Sequence, residues 1–312
     1  MLGYAWMEKQ TEALLPAPYF HLVFTLPHEL NALIAQNQAL LYKLLFDAAS
    51  DTLLAFGRNH FKAQIGLTAV LHTWSQTLHN HYHLHCIVTG GGLKLDGSGW
   101  AECPRHWLFP VKALSKVFRA KYRDGLRQLY DAGELGFHGQ IKVLKAPARF
   151  RTLVAKACRQ SWVVFAKRPF AGPKQVIAYL ARYTHRVGIT NRRIKRLDVA
   201  EGKVTFGYKD YADRNKQKEM TLSLDEFVRR FCLHILPPRF VKVRHYGMLS
   251  NRNRTERVAQ ARSALGVKGT EPIDVRQEPI VSQSPTCPHC QSVHVRLIRV
   301  VIPPWRLARV PP

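Results

Sequence analysis

His83-Leu84-His85 sets two imidazoles one residue apart within Tyr82 to Thr89, a run whose apolar and β-branched content reads as a strand. Side chains alternate faces along a strand, so His83 and His85 project to one side while Leu84, Cys86 and Val88 project to the other. Two neutral imidazoles sharing a face are suited to hold a divalent metal; the bland alternative is a pair of histidines on a solvated sheet face. The preceding run, Ile65 to Thr77, is also strand-like, and a polar bend, His79-Asn80-His81, joins the two. On that first run His72 and Gln76 share one alternation, with Trp74 between them. Pairing of the strands would bring either beside the histidine pair as a third ligand.

A second constellation is Tyr179-Leu-Ala-Arg-Tyr183, inside a segment that reads as a helix over 173 to 187, opened by Gly172-Pro173 and closed at Gly188. Val176, Ile177, Leu180, Thr184 and Val187 form one face of it. The two tyrosines sit together at the border of that face, at the i, i+4 spacing that puts Cβ atoms ~5–6 Å apart, beside Arg182 and Arg186. His185 falls on the far side and is expected to be neither ligand nor base. Such tyrosines are commonly amphipathic fillers with their hydroxyls in water. Beside a metal they could do more: a phenol can attack phosphorus and form a phosphotyrosine ester while the metal polarises the phosphodiester. A free phenol ionises near ~10, so the metal and the arginines must help stabilise the phenolate. The ester conserves the bond energy that strand transfer needs and hydrolysis wastes.

The elements around these residues belong to a strongly basic chain. Its 312 residues carry 47 Lys+Arg against 21 Asp+Glu, a formal charge of +26, which calls for a polyanionic partner. A hydrophobic content of 46% excludes a disordered basic tail. No run approaches the ~20 apolar residues of a membrane span, and Met1 to Gln10 lacks a signal-peptide core, so a soluble, cytoplasmic protein with no membrane partner is expected. Cys86, Cys103, Cys158 and Cys232 are scattered, as reduced thiols would be.

Along the chain, residues 1 to 18 read as a lead-in. Phe20, Leu22, Phe24 and Leu26 then alternate with His21, Val23 and Thr25 until Pro27 stops the strand. Helical spacing runs from Leu30 to Leu54 and again over 111 to 132, and Gly90-Gly91-Gly92 reads as a turn ending the histidine strand. Val204 to Tyr208 and Glu219 to Leu222 alternate like a hairpin. Beyond Pro237-Pro238 the composition turns basic: Arg244, Arg252 and Arg254 are candidate phosphate contacts, with Phe240, His245 and Tyr246 interleaved to stack on unpaired bases. Residues 267 to 286 read as a linker. Cys287-Pro-His-Cys290 is half a zinc knuckle, with His289 or His294 the nearby donors; Zn²⁺ there and two exposed thiols in a loose tail both remain open.

Taken together, these motifs resemble the two-tyrosine HUH rolling-circle transposases of bacterial insertion sequences. Tyr19-Phe-His-Leu-Val-Phe-Thr-Leu-Pro27 is similar to the family's first motif, Leu71 to Gln76 with His83-Leu-His85 to its metal motif, Tyr179 to Arg186 to its nucleophile motif, and Arg244 to Arg252 to a further segment. His72, His83 and His85 also match the His, ten residues, His, one residue, His pattern of related relaxases. The resemblance implies an α+β fold: an HUH-type palm whose central antiparallel sheet presents the histidines, a tyrosine-bearing helix packed across it, and a basic C-terminal extension. It implies Mg²⁺ or Mn²⁺ as cofactor. The partners it implies are single-stranded DNA at the ends of a mobile element and target DNA, met at the bacterial nucleoid. Tyr179 and Tyr183 would be nucleophiles forming 5′-phosphotyrosine intermediates in rolling-circle-type transposition. Such transposases carry a cysteine-rich zinc module ahead of the first motif, whereas no cysteine precedes Cys86, so residues 1–18 are expected to be the tail of a missing module. The catalytic domain is then expected over 19–236, a basic DNA-binding segment over 237–266, and a linker with the Cys-x-x-Cys tail over 267–312. The rival expectation is a catalytically inactive DNA-binding remnant or regulator of the same element. A zinc hydrolase using the same histidines would leave the tyrosine pair and the charge without a purpose.

Overall fold

The computed structural model describes residues 14–104, 108–167, 176, 188–211 and 213–267. Its centre is an antiparallel sheet built on strand β3 (Asn80–Lys94), with β1 (Tyr19–Thr25) on one side and β2 (Ala63–Trp74) on the other. The order across the sheet is β5 (Val164–Lys167), β1, β3, β2, β9 (Val243–Gly247), with the short β4 (Trp100–Glu102) pairing to the end of β3. A second sheet of three antiparallel strands holds β6 (Ile194–Asp198), β7 (Lys203–Asp210) and β8 (Lys216–Ser223). The expected α+β class with a central antiparallel sheet is what the chain forms.

Alternation along the three central strands decides which face is dry. Phe20, Leu22 and Phe24, Leu84, Cys86 and Val88, and Leu67, Ala69 and Leu71 all project into one hydrophobic core. Helices α1 (Asn31–Gln36), α2 (Gln38–Phe61), α3 (Val111–Asp131) and α4 (Pro147–Cys158) pack many of their side chains into the same core. The single helical run expected from Leu30 is broken at Asn37, whose side-chain amide donates to the Leu33 and Gly136 carbonyls while its oxygen accepts the Gly136 N–H. Ser223, immediately after the expected hairpin, caps α5 (Leu224–Cys232) by accepting from the Glu226 N–H. Arg254–Ala264 forms α6. Among the described residues no helix is long and apolar enough to cross a membrane.

Two expectations change. Gly90-Gly91-Gly92 is not a turn: β3 runs through it to Lys94. Here three strands crowd together, and the register against β2 jumps from Leu67↔Val88 to Ile65↔Gly92, a bulge held by the Thr89 hydroxyl, which accepts from the Gly66 N–H and donates to the Gly91 carbonyl. A Cβ on Gly92 would lie 2.5 Å from the Gln64 carbonyl oxygen, and one on Gly91, at φ +140°, would meet the Ala101 carbonyl oxygen. Glycine lets the backbones approach; it does not reverse the chain. In the basic segment, Phe240 and Tyr246 are not offered for base stacking. Both pack against the core, and residues 243–247 add β9 to the central sheet beside β2.

Candidate metal centre

The sheet face opposite the helices carries the histidines. His72 on β2 lies directly across from His83 on β3, and His85 lies across from Val70, two residues further along. Ring centroids are 5.3 Å apart for His72 and His83, 4.4 Å for His72 and His85, and 4.9 Å for His83 and His85. One ring nitrogen from each lies within 4.8 Å of the other two, and among the described residues no other three His, Cys, Asp or Glu side chains converge so. Exposure of the three side chains runs from 4% to 9%.

Each imidazole has to present a lone pair, which requires its proton on the other nitrogen. His83 does this within its own strand: Nδ1 donates to the His81 carbonyl at 2.8 Å, leaving Nε2 for a ligand. Burial, reinforced by the neighbouring His81, pushes the His83 pKa down to about 3, so the ring is neutral at neutral pH. For His85, Nδ1 lies 2.9 Å from Nε2 of His21, which projects from β1 onto the same face. Three converging imidazoles, with Nδ1 already engaged in two of them, fit a divalent cation, and His72, His83 and His85 would hold it.

Gln76, the other candidate for third ligand, is drawn away. The strand pairing becomes irregular after His72, and Gln76 faces the second sheet: its side-chain oxygen accepts from the Lys209 N–H at 3.5 Å and its carbonyl from Arg193. Trp74 stacks on His72 at 4.9 Å and 18°, with the Lys242 ammonium 5.0 Å over its ring. Burial lowers the Lys242 pKa to about 8. Gly188 closes this side, where an added Cβ would lie 3.1 Å from Leu78 and 3.5 Å from Trp74.

The remaining candidates divide. Arg244 lies over the rings of Phe46 and Phe240, at 4.3 and 5.0 Å, in a packing role. Arg252 is exposed, and Arg254 is half-buried near His245, a residue whose Nδ1 lies 2.9 Å from the Thr68 hydroxyl. Burial, then Arg254, lowers the His245 pKa to about 4. Tyr179, Tyr183, Arg182, Arg186 and His185, and Cys287 and Cys290, lie outside the described residues. Of the expected tyrosine helix only Val176 is described: it is helical and buried, as its place on the apolar face requires.

His21 is the member of this cluster that sequence reasoning did not single out. Its alternation placed it opposite the core side chains of its strand, but nothing local says that β1 pairs with β3.

A transposase of Sinorhizobium fredii (strain NBRC 101917 / NGR234) named "Putative transposase y4qJ" is 43% identical over 95% of this chain and 76% of its own length. The transposase for insertion sequence element IS801 of Pseudomonas savastanoi pv. phaseolicola is 29% identical over 79% of this chain, which spans 58% of that longer protein. Among solved structures, the metal-bound conjugative relaxase TrwC with oriT DNA aligns over 55% of this chain and 73% of its own, with 15% identity and a TM-score of 0.29. Residues 66–257, which hold all three histidines and both tyrosines, match the Y2_Tnp family, described as "Putative transposase", and the chain belongs to that transposase family.

Proposed function

We propose that the chain cleaves and rejoins single-stranded DNA by tyrosine transesterification at a divalent-metal site. His72, His83 and His85 hold Mg²⁺ or Mn²⁺, and Tyr179 and Tyr183 are the nucleophiles. The observation that carries this reading is the triad: three buried imidazoles converging on one face of a sheet, with His83 held neutral by its surroundings.

The chain around the tyrosines supports their role. On either side of them in sequence, Lys167 is the cross-strand partner of His21, and Gly188 lies against the tryptophan that stacks on His72. Three other tyrosines are poor rivals. Tyr42, Tyr82 and Tyr122 are buried in the core on the opposite face, where burial pushes their phenols up, Tyr82 to about 12.

A cation bound by the triad would withdraw charge from the non-bridging oxygens of a phosphodiester. The phenol oxygen of one tyrosine gives up its proton and forms a bond to phosphorus. The bond from phosphorus to the 3′ oxygen breaks, and that oxygen leaves with a proton as a hydroxyl. The 5′ phosphate stays on the tyrosine as an ester, and attack by another 3′ hydroxyl reverses the step and joins strands. Arg182 and Arg186, close by in sequence, supply charge for the phenolate and the phosphate. Arg252 and Arg254 extend the basic surface. The IS801 relative is named for an insertion sequence, and the ends of such an element are taken as the substrate.

The test is an end-labelled single-stranded oligonucleotide carrying the element's end, incubated with the protein and Mn²⁺. A protein-linked strand is expected, absent in the Tyr179→Phe, Tyr183→Phe double variant. Binding without an adduct would instead support a DNA-binding remnant, and an adduct surviving in the double variant would overturn the nucleophile assignment.

A further inference from the structure

We infer that His21 is a positioning residue: it fixes the tautomer and direction of His85, so that His85 presents Nε2 to the metal. This rests on the triad being a metal site.

The hydrogen bond between His21 Nε2 and His85 Nδ1 is 2.9 Å long, and the two rings are 11° from coplanar with centroids 5.1 Å apart. A centroid separation so much longer than the N···N distance means that the rings lie edge to edge, almost in one plane, and are not stacked face to face. In-plane approach is what a hydrogen bond to an imidazole lone pair needs. A metal bound at Nε2 of His85 would use that lone pair, which would leave the ring's proton on Nδ1 to be donated to Nε2 of His21. His21 itself is 4% exposed.

Strand pairing explains why this arrangement is rigid. Val23 lies opposite His85 and His21 opposite Ile87, so His21 approaches His85 along a diagonal of the sheet, on the same face. On its other edge β1 pairs with β5, where Lys167 is the cross-strand partner of His21. The backbone under His21 is therefore fixed from both sides. The triad is supported in two different ways: His83 is oriented by a carbonyl two residues away, His85 by a side chain from a separate strand. An orienting partner of this kind typically contributes 10- to 100-fold in metal affinity.

The experiment is calorimetric titration of the full chain with Mn²⁺, comparing wild type, His21→Phe and His21→Gln. Phe keeps a planar apolar ring but cannot accept the Nδ1 proton, whereas the Gln carbonyl can. The expected result is a loss of about 10- to 100-fold in Mn²⁺ affinity for His21→Phe, with His21→Gln returning to within a few-fold of wild type. Equal affinity in the Phe variant and wild type, or equal losses in both variants, would overturn the role. A wild-type chain that binds no Mn²⁺ would remove the metal site, and this role with it. Should the Phe variant fold poorly, imidazole ¹⁵N shifts of the wild-type protein provide the second readout. His85 protonated on Nδ1 is expected, and protonation on Nε2 in the metal-free protein would refute the assignment.

Discussion

His72 and His83 are direct cross-strand partners on β2 and β3, with rings edge-on at a centroid distance of 5.3 Å. They are brought together by sheet register, so loss of either imidazole removes a proposed metal donor without removing a core side chain. His72→Ala and His83→Ala are each expected to reduce Mn²⁺-dependent adduct formation by more than about 100-fold, while single-stranded DNA binding measured without metal changes little. Quantifying the covalent adduct beside a binding isotherm on the same variants checks both halves.

The tyrosines should divide the labour. Tyr179→Phe and Tyr183→Phe each leave one phenol, so a single variant is expected to retain an adduct at one strand end while losing strand exchange between two ends. Gel analysis with two differently labelled oligonucleotides distinguishes a single nick from a joined product.

Acid should weaken the fold through His245. Its ring is held to about 4 by burial and by Arg254, against an ordinary value of 6.5. As pH falls below 6.5 the unfolded chain takes up a proton that the folded one refuses, so stability is full above 6.5 and declines as pH approaches 4. Thermal midpoints measured across that window should fall, and His245→Gln should flatten part of the decline.

The glycine run is a packing constraint. Gly91→Ala is expected to cost about 3 kcal/mol or more, because it combines an unfavourable backbone conformation with a clash against β4. Denaturant midpoints would show it. A midpoint like that of wild type would mean that the bulge can relax.

Salt should govern DNA affinity. No acidic residue occurs between Glu134 and Asp198, and Lys142, Lys145, Arg149 and Arg151, at and before α4, are exposed and absent from the ion pairs among the described residues. Replacing these four with Gln should weaken DNA binding most at low salt. For a single strand that they fully contact, it should reduce the slope of log affinity against log salt by about 3.

Much of the histidine triad could be read from the chain because its signals are local. A period of two assigns His83 and His85 to one face, and a short polar bend brings His72 alongside. What could not be read depends on contacts distant in sequence. His21 meets His85 across 64 positions, and β9 joins β2 from the far end of the domain, inside a stretch whose arginines suggested only a charged surface. Arg244 shows the same limit: its charge pointed to phosphate, but the two phenylalanines beneath it come from α2 and from the approach to β9. By contrast Ser223-Leu-Asp-Glu226 carried a helix-start signature that could have located α5.

The strand bearing His72 acquires its outer neighbour only from residues 243–247, well after both tyrosines in the chain. A product that stops short of them would leave the main-chain donors and acceptors of residues 66 to 70 bare along one rim, open to annealing with other copies. Shortening the protein from its C-terminus to obtain a minimal nickase therefore removes part of the scaffold, and cutting competence should be complete only once the last rung has been synthesised.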